Sequence, residues 1–177
     1  MQYRRLHQNG GTYFFTLVTH NRQPIFDTPT NIHLLKNAIH YTKSRYPFTI
    51  DAIVILPDHI HCLWTLPDEN NDNAVRWMLI KSHVTRNLAP TYKQSIRSTS
   101  RKQKREQPIW QRRFWEHLIQ SEADYRKHIE YTHYNPVKHG LATSAKAWPH
   151  SSFHHYVERG LYDIDWGESE YNSVGSE

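Results

Sequence analysis

Polar and apolar residues alternate from Thr12 to His20, behind the pair Gly10-Gly11, with the two-residue period of a half-buried strand. From Thr30 to Arg45 the period changes: Leu34, Leu35, Ala38, Ile39 and Thr42 recur at helical spacing. Two β-rich runs follow, Phe48 to Leu56 and His59 to Leu66, separated only by Pro57-Asp58, which predicts a hairpin. Asp72 to Leu88 returns to helical spacing, with apolar rows Val75, Met78, Leu79 and Trp77, Ile80, Val84, Leu88. Phe114 to Ile119 reads as a last strand. Ser121 with Asp124 three residues on is a capping-box pattern that starts a helix, and Pro136 predicts its end near Asn135. A short helix from Ser151 to Glu158 closes at Gly160. The order β-α-β-β-α-β predicts an α+β protein with a ferredoxin-like antiparallel sheet, helices on one face, plus a C-terminal helix and tail.

Composition narrows the class. The chain has 177 residues and one cysteine, Cys62, so neither a disulfide framework nor a cysteine-rich zinc module is available. Cys62 is expected as a buried thiol in a reducing cytoplasm. No run approaches the roughly 20 apolar residues of a membrane span, and no membrane partner is expected. Net charge is +5, yet residues 161–177 carry five carboxylates and no Lys or Arg, leaving +10 on residues 1–160. A basic body of this kind binds polyanions through phosphate contacts. The division expected is one domain over 1–160, with a basic loop at 90–108, and an acidic tail over 161–177. Residues 90–108 hold Lys93, Arg97, Arg101, Lys102, Lys104 and Arg105 without hydrophobic periodicity. The tail is expected either as a solvated end or as a strap over the basic groove, with Tyr162, Trp166 and Tyr171 packing where bases would stack.

The candidate chemistry sits in two places. His59 and His61 flank Ile60 in a predicted strand, so both imidazoles point to one face and can converge on one ion. On the helix after Ser121, Tyr131 and Asn135 are one turn apart on one face, offering a phenolic nucleophile and an amide oxygen. Each has an ordinary structural role as well: packed strand histidines, an interfacial aromatic, a helix-terminal amide. Tyr134 and Tyr125 lie on the same helix, but Tyr125 falls with Ile129 and Thr132 on its packing face. His128 is expected to face solvent. Glu116 and His117 are expected either to support the site or to be ordinary strand-end residues.

The blocks Tyr3-Arg4-Arg5, Gly10-Gly11-Thr12-Tyr13-Phe14-Phe15-Thr16, Leu56-Pro57-Asp58-His59-Ile60-His61-Cys62-Leu63-Trp64-Thr65-Leu66-Pro67, Trp110-Gln111-Arg112-Arg113-Phe114-Trp115-Glu116-His117 and Tyr131 through Asn135-Pro136-Val137-Lys138-His139-Gly140 resemble one family. It is that of the HUH single-strand DNA transposases with one catalytic tyrosine, most closely the REP-associated tyrosine transposases of bacteria. The resemblance implies His59, His61 and Asn135 as ligands of a divalent metal, Mg²⁺ or Mn²⁺, and Tyr131 as nucleophile. A glutamine often fills the Asn135 slot in related insertion-sequence transposases.

By that resemblance the activity is metal-dependent nicking and joining of single-stranded DNA at REP-type hairpins, through a 5′-phosphotyrosine. Arg4, Arg5, Arg112, Arg113, Lys102, Lys104 and Arg105 are the candidate phosphate contacts, and Trp110, with Trp115, a surface for unpaired bases. A monomer or weak homodimer, associated with the nucleoid in the cytoplasm, is expected. Two alternatives stay open: a non-catalytic hairpin-DNA binding protein on the same scaffold, and a hydrolase of another phosphate ester.

Overall fold

The computed structural model describes residues 8–93, 99–103 and 107–168. Four strands, β1 (Thr12–Val18), β2 (Thr49–Ile55), β3 (His59–Thr65) and β4 (Trp115–Leu118), form one antiparallel sheet in the order β2-β3-β1-β4. Helices α1 (Pro29–Arg45) and α2 (Asn73–Asn87) connect the strands as the sequence order requires. This is the ferredoxin-like arrangement expected. A short helix α3 (Thr99–Gln103) lies within the basic segment, which is therefore not wholly irregular. Helices α4 (Glu122–Lys138) and α5 (Phe153–Glu158) follow the last strand.

The alternation of side chains along the strands divides the core in two. Tyr13, Phe15, Leu17, Ile60, Cys62 and Trp64 point into the larger cluster with Leu35, Ala38 and Ile39 of α1 and Trp77, Ile80 and Val84 of α2. At its centre Trp64 stacks on Trp77 at 4.3 Å and donates its indole N–H to Asn73 Oδ1 at 2.7 Å. Cys62 is buried there, on the face away from the histidines. The opposite face carries a smaller cluster, Phe14, Ala52, Leu63 and Ile129, and is covered by α4. Helices therefore lie on both faces, two from the sandwich and α4 from beyond it. Because both faces of β3 are covered, all its residues but Thr65 are buried.

Helix α4 begins where its cap predicts: Ser121 Oγ accepts the Asp124 amide at 3.1 Å. The reciprocal half of the box is absent, since Asp124 Oδ2 instead accepts the Gln120 amide at 3.0 Å. The helix does not stop at Asn135 but runs to Lys138 with Pro136 inside it. Proline forfeits one backbone donor, yet its fixed φ is helical, and the helix closes beyond it with His139 N–H to Asn135 C=O at 3.0 Å.

The tail boundary at 161 is not a break in packing. Tyr162 and Trp166 stack on each other at 4.6 Å and pack against Phe153, while Lys146 pairs with Asp165 and with Glu168. These two aromatics are thus spent on the α5 side of the body and do not line the surface around Tyr131. Tyr171 lies outside the described residues.

His133 ties α4 to this region. It is fully buried, its Nε2 lies 2.8 Å from Ser152 Oγ, and burial pushes its pKa from 6.5 to about 3. An unfolded chain takes a proton at this site below pH 6.5, and the folded chain does not until about pH 3. The stabilising contribution is therefore complete above pH 6.5 and is lost as the pH falls toward 3. Thermal melts across that interval should show His133→Gln, which keeps a polar partner for Ser152, losing less stability on acidification than the parent. Parallel curves would contradict this.

Candidate active site

Strand β3 holds the two histidines rigidly because its neighbours on both sides pair with it. His61 faces Thr16 and His59 faces Val18 across the β1 ladder. Both rings are nearly fully buried, with centroids 5.0 Å apart and planes almost perpendicular. Each has one nitrogen fixed by a neighbour. Asp58 Oδ1 accepts from His59 Nδ1 at 2.5 Å, and His61 Nδ1 lies 2.9 Å from Thr16 Oγ1. A carboxylate accepts only, so His59 carries its proton on Nδ1 and presents Nε2 as a lone pair. Burial opposes ionisation of Asp58, but hydrogen bonds from His59 and Arg22 outweigh it and hold its carboxyl below the usual range. Burial, reinforced by the charges of His59, His139, Lys138 and Arg22, lowers His61 to about 3, so it is neutral at neutral pH.

Helix α4 supplies the rest. The Tyr131 ring stands edge-on to His61 at 5.2 Å and to Phe14 at 5.9 Å, with Lys138 Nζ 4.7 Å above its centroid. Two turns on, His139 meets the ring of His59 at 5.0 Å. The row Tyr131, Asn135, His139 thus runs along the histidine pair, with Asn135 at its middle. Asn135 is fully buried, and among the described residues neither its Oδ1 nor its Nδ2 has a hydrogen-bond partner. His61 Nε2 is likewise buried and unpartnered. An unsatisfied buried polar group costs roughly 1–3 kcal/mol, so several in one place mark a site built for a guest. Two imidazole nitrogens and an amide oxygen, already oriented, fit a divalent cation.

The other tyrosines of α4 are occupied. Tyr125 donates to Asp51 Oδ1 at 3.3 Å, and burial raises its pKa, as the neighbouring Asp51 charge does. Tyr134 packs edge-on to Trp166 at 6.4 Å. Tyr131, 36% exposed, combines contact with the histidines and access from solvent.

Beside Tyr131 lies a cavity of about 380 Å³ lined by Phe14, Thr16, Trp115, Lys127 and His128. His128 does not face solvent. Its ring packs on Phe14 at 4.7 Å and stacks on His117 at 4.8 Å. Both histidines bond Asp124, His117 Nε2 to Oδ2 at 2.8 Å and His128 Nδ1 to Oδ1 at 3.0 Å. Burial opposes ionisation of Asp124, but the Gln120 amide and His117 more than offset it and lower its pKa. Glu116 points to the opposite face of β4, paired in register with Phe15, and takes no part in this cluster.

The DNA-contact candidates are scattered. Arg4, Arg5, Lys104 and Arg105 lie outside the described residues. Lys102 and Arg113 are exposed, and the exposed Arg112 donates to Ser100 Oγ at 2.9 Å. Trp110 is buried against Phe26 at 5.6 Å, with Lys81 Nζ 5.9 Å from its ring centroid, so most of its surface serves the core. Trp115 is 45% exposed at the mouth of the cavity. Asp58, Thr16, Phe14, Lys138 and His139 were not singled out from the sequence as site residues. Their signal was position alone: Asp58 precedes the histidines, Phe14 and Thr16 alternate onto their face, and Lys138-His139 end the Asn135 block.

The IS200-like transposase family matches residues 7–133, which include His59, His61 and Tyr131. A REP-associated tyrosine transposase of Escherichia coli K12 is 44% identical over 165 residues, 93% of this chain and 90% of that protein. A Haemophilus influenzae relative is also 44% identical over 165 residues, covering 93% of this chain and 92% of its own. The solved structure of a REP-associated tyrosine transposase bound to a REP hairpin superposes with a TM-score of 0.78 at 41% identity, covering 94% of this chain and 91% of that one. With the family match spanning most of its length and the tyrosine set over the histidine pair, the chain belongs to the IS200-like transposases.

Proposed function

We propose that this enzyme nicks and rejoins single-stranded DNA beside REP-type hairpins, with Tyr131 as nucleophile and a divalent cation held by His59, His61 and Asn135. The observation that carries the reading is the exposed Tyr131 phenol packed against His61, above the unpartnered His61 Nε2 and Asn135 amide. The hairpin is the ligand in the solved relative, and the similarity to it covers nearly the whole chain.

The residues divide the work. A phosphodiester repels nucleophiles, so cleavage requires positioning and charge neutralisation. Bound Mg²⁺ or Mn²⁺ would polarise the scissile phosphate as a Lewis acid. Thr16 and Asp58 hold the two imidazoles in register. Phe14 and Lys138 hold the Tyr131 ring. Attack by Tyr131 Oη at phosphorus breaks the bond to the 3′ oxygen, leaving a 5′-phosphotyrosine and a free 3′-hydroxyl. Attack by a 3′-hydroxyl on that linkage reverses the reaction and joins strands. Lys127 adds positive charge to the cavity beside Tyr131, and the exposed Arg112, Arg113 and Lys102 are proposed to contact phosphates farther along the strand. Arg4, Arg5, Lys104 and Arg105 are proposed to add phosphate contacts.

The reading makes three separable claims. Incubation with a hairpin oligonucleotide carrying a single-stranded flank should give a covalent protein–DNA adduct, mapped by mass spectrometry to Tyr131 and absent in Tyr131→Phe. An adduct surviving that substitution would exclude the assignment, and tight binding with no adduct from the parent would favour a purely binding role.

Asp58→Asn should weaken Mn²⁺ binding about 10–100-fold while leaving hairpin affinity within a few-fold, because it disturbs the orientation of His59 and not the DNA surface. Unchanged Mn²⁺ affinity by calorimetry would remove Asp58 from the site.

Affinity for the hairpin should fall steeply with salt. Arg112→Ala or Arg113→Ala should each reduce the log–log slope by about 1, as expected for one lost phosphate contact. A flat dependence would reduce the basic body to a solubility device.

A further inference from the structure

The reaction asks Tyr131 to give up a proton, and none of the cation's ligands is free to take it. The cavity beside Tyr131 contains a group that is. His128 lies one turn before Tyr131 on α4, and helix side chains lean toward the N-terminus, so Tyr131 leans over the turn that carries Lys127 and His128. All three line the same cavity of about 380 Å³.

The hydrogen bonds of His128 define its proton. Nδ1 lies 2.9 Å from the Asp124 carbonyl oxygen and 3.0 Å from Asp124 Oδ1. Both partners accept only, so Nδ1 carries the hydrogen, and in the neutral ring Nε2 holds the lone pair. Among the described residues Nε2 has no partner. The ring is clamped between Phe14 at 4.7 Å and His117 at 4.8 Å, which removes its freedom to turn the other nitrogen outward. Asp124 is itself fixed by the Gln120 amide at 3.0 Å and His117 Nε2 at 2.8 Å. The charged or ionisable neighbours are therefore Asp124, Lys127 and Tyr131 from α4 and His117 from β4. Phe14 and Thr16 of β1 and Trp115 of β4 line the same cavity, and His61 of β3 stacks on the Phe14 ring. A carboxylate that fixes the tautomer of an imidazole whose free nitrogen shares a cavity with a hydroxyl nucleophile is the arrangement by which an active-site base is made.

We propose that His128 is the general base of cleavage: Nε2 takes the proton of the Tyr131 phenol as Oη bonds to phosphorus. The 3′ oxygen departs with the electron pair of the broken P–O bond and takes a proton from water. In joining, the flow reverses, and protonated His128 returns its proton to the departing Tyr131 oxygen. Asp124 acts through His128 as a positioning residue. This rests on the reading of Tyr131 as nucleophile, which Tyr131→Phe tests separately.

The test is single-turnover nicking with DNA saturating, so that affinity does not enter, in His128→Ala and His128→Gln. Both should nick about 10²–10⁴-fold more slowly than the parent, the range expected for loss of a general base. Both should bind the hairpin and melt as the parent does. Added imidazole should restore a concentration-dependent part of the rate to His128→Ala, whose cavity has room for the ring, and none to His128→Gln. A slow His128→Ala that imidazole does not rescue would mean that the ring only packs against Phe14, and would overturn the proposal. Near-parental rates in both variants would do the same while leaving Tyr131 as nucleophile. Rescue of Lys127→Ala by methylamine, with His128→Ala unimpaired, would move the role to Lys127. A tightly bound metal ion lost on mutating His117, Asp124 or His128 would also overturn it, since Nδ1 would then hold a cation in place of a proton.

Discussion

The pairing of β1 with β3 is the contact on which the site hangs. It sets Thr16 opposite His61 and Val18 opposite His59. It also puts Phe14 on the same face, where its ring stacks on His61 at 5.5 Å. A slip of one residue would turn Thr16 and Phe14 into the larger core and leave the histidines without their wall. That slip is resisted from the other face, because the same register seats Phe15, Leu17, Ile60 and Trp64 around Trp77. Core packing on one side of the sheet is thus what fixes functional geometry on the other.

Covering that second face has a cost and a use. Helix α4 buries His61 and Asn135, whose Nε2 and side-chain amide have no partner among the described residues, which is unfavourable without a ligand. The same burial keeps His61 neutral and lowers the local dielectric, so that each electrostatic interaction within the site is stronger than in solvent. Continuation of α4 through Pro136 is part of the device. A helix ending at Asn135 would not carry Lys138 over the Tyr131 ring or His139 to His59.

Much of this was legible in the sequence, and the omissions have physical reasons. Period and punctuation placed every strand and long helix, because each buries a continuous apolar face. Pro136 misled because proline's preference against a preceding helical residue is a local bias, and here the packing of Ile129, Thr132 and Val137 outweighs it. His128 was read as solvent-facing because helical position alone does not reveal that β4 passes beside it with His117. Trp110 was read as a stacking platform because a tryptophan among arginines has the same sequence signature whether its ring is open or, as here, set against Phe26. The acidic tail illustrates the same limit. Its charge pattern allowed a solvated end or a strap over the basic groove, whereas Tyr162 and Trp166 pack on Phe153, and Asp165 and Glu168 pair with Lys146.

The central claim is that His59, His61 and Asn135 hold one divalent cation beneath Tyr131. Anomalous diffraction from crystals grown with Mn²⁺, using Tyr131→Phe to stop turnover, addresses it directly. The account predicts a single strong peak in contact with His59 Nε2, His61 Nε2 and Asn135 Oδ1, weakened or lost in His61→Ala. A peak at the His117, Asp124 and His128 group with none at the β3 pair would contradict it.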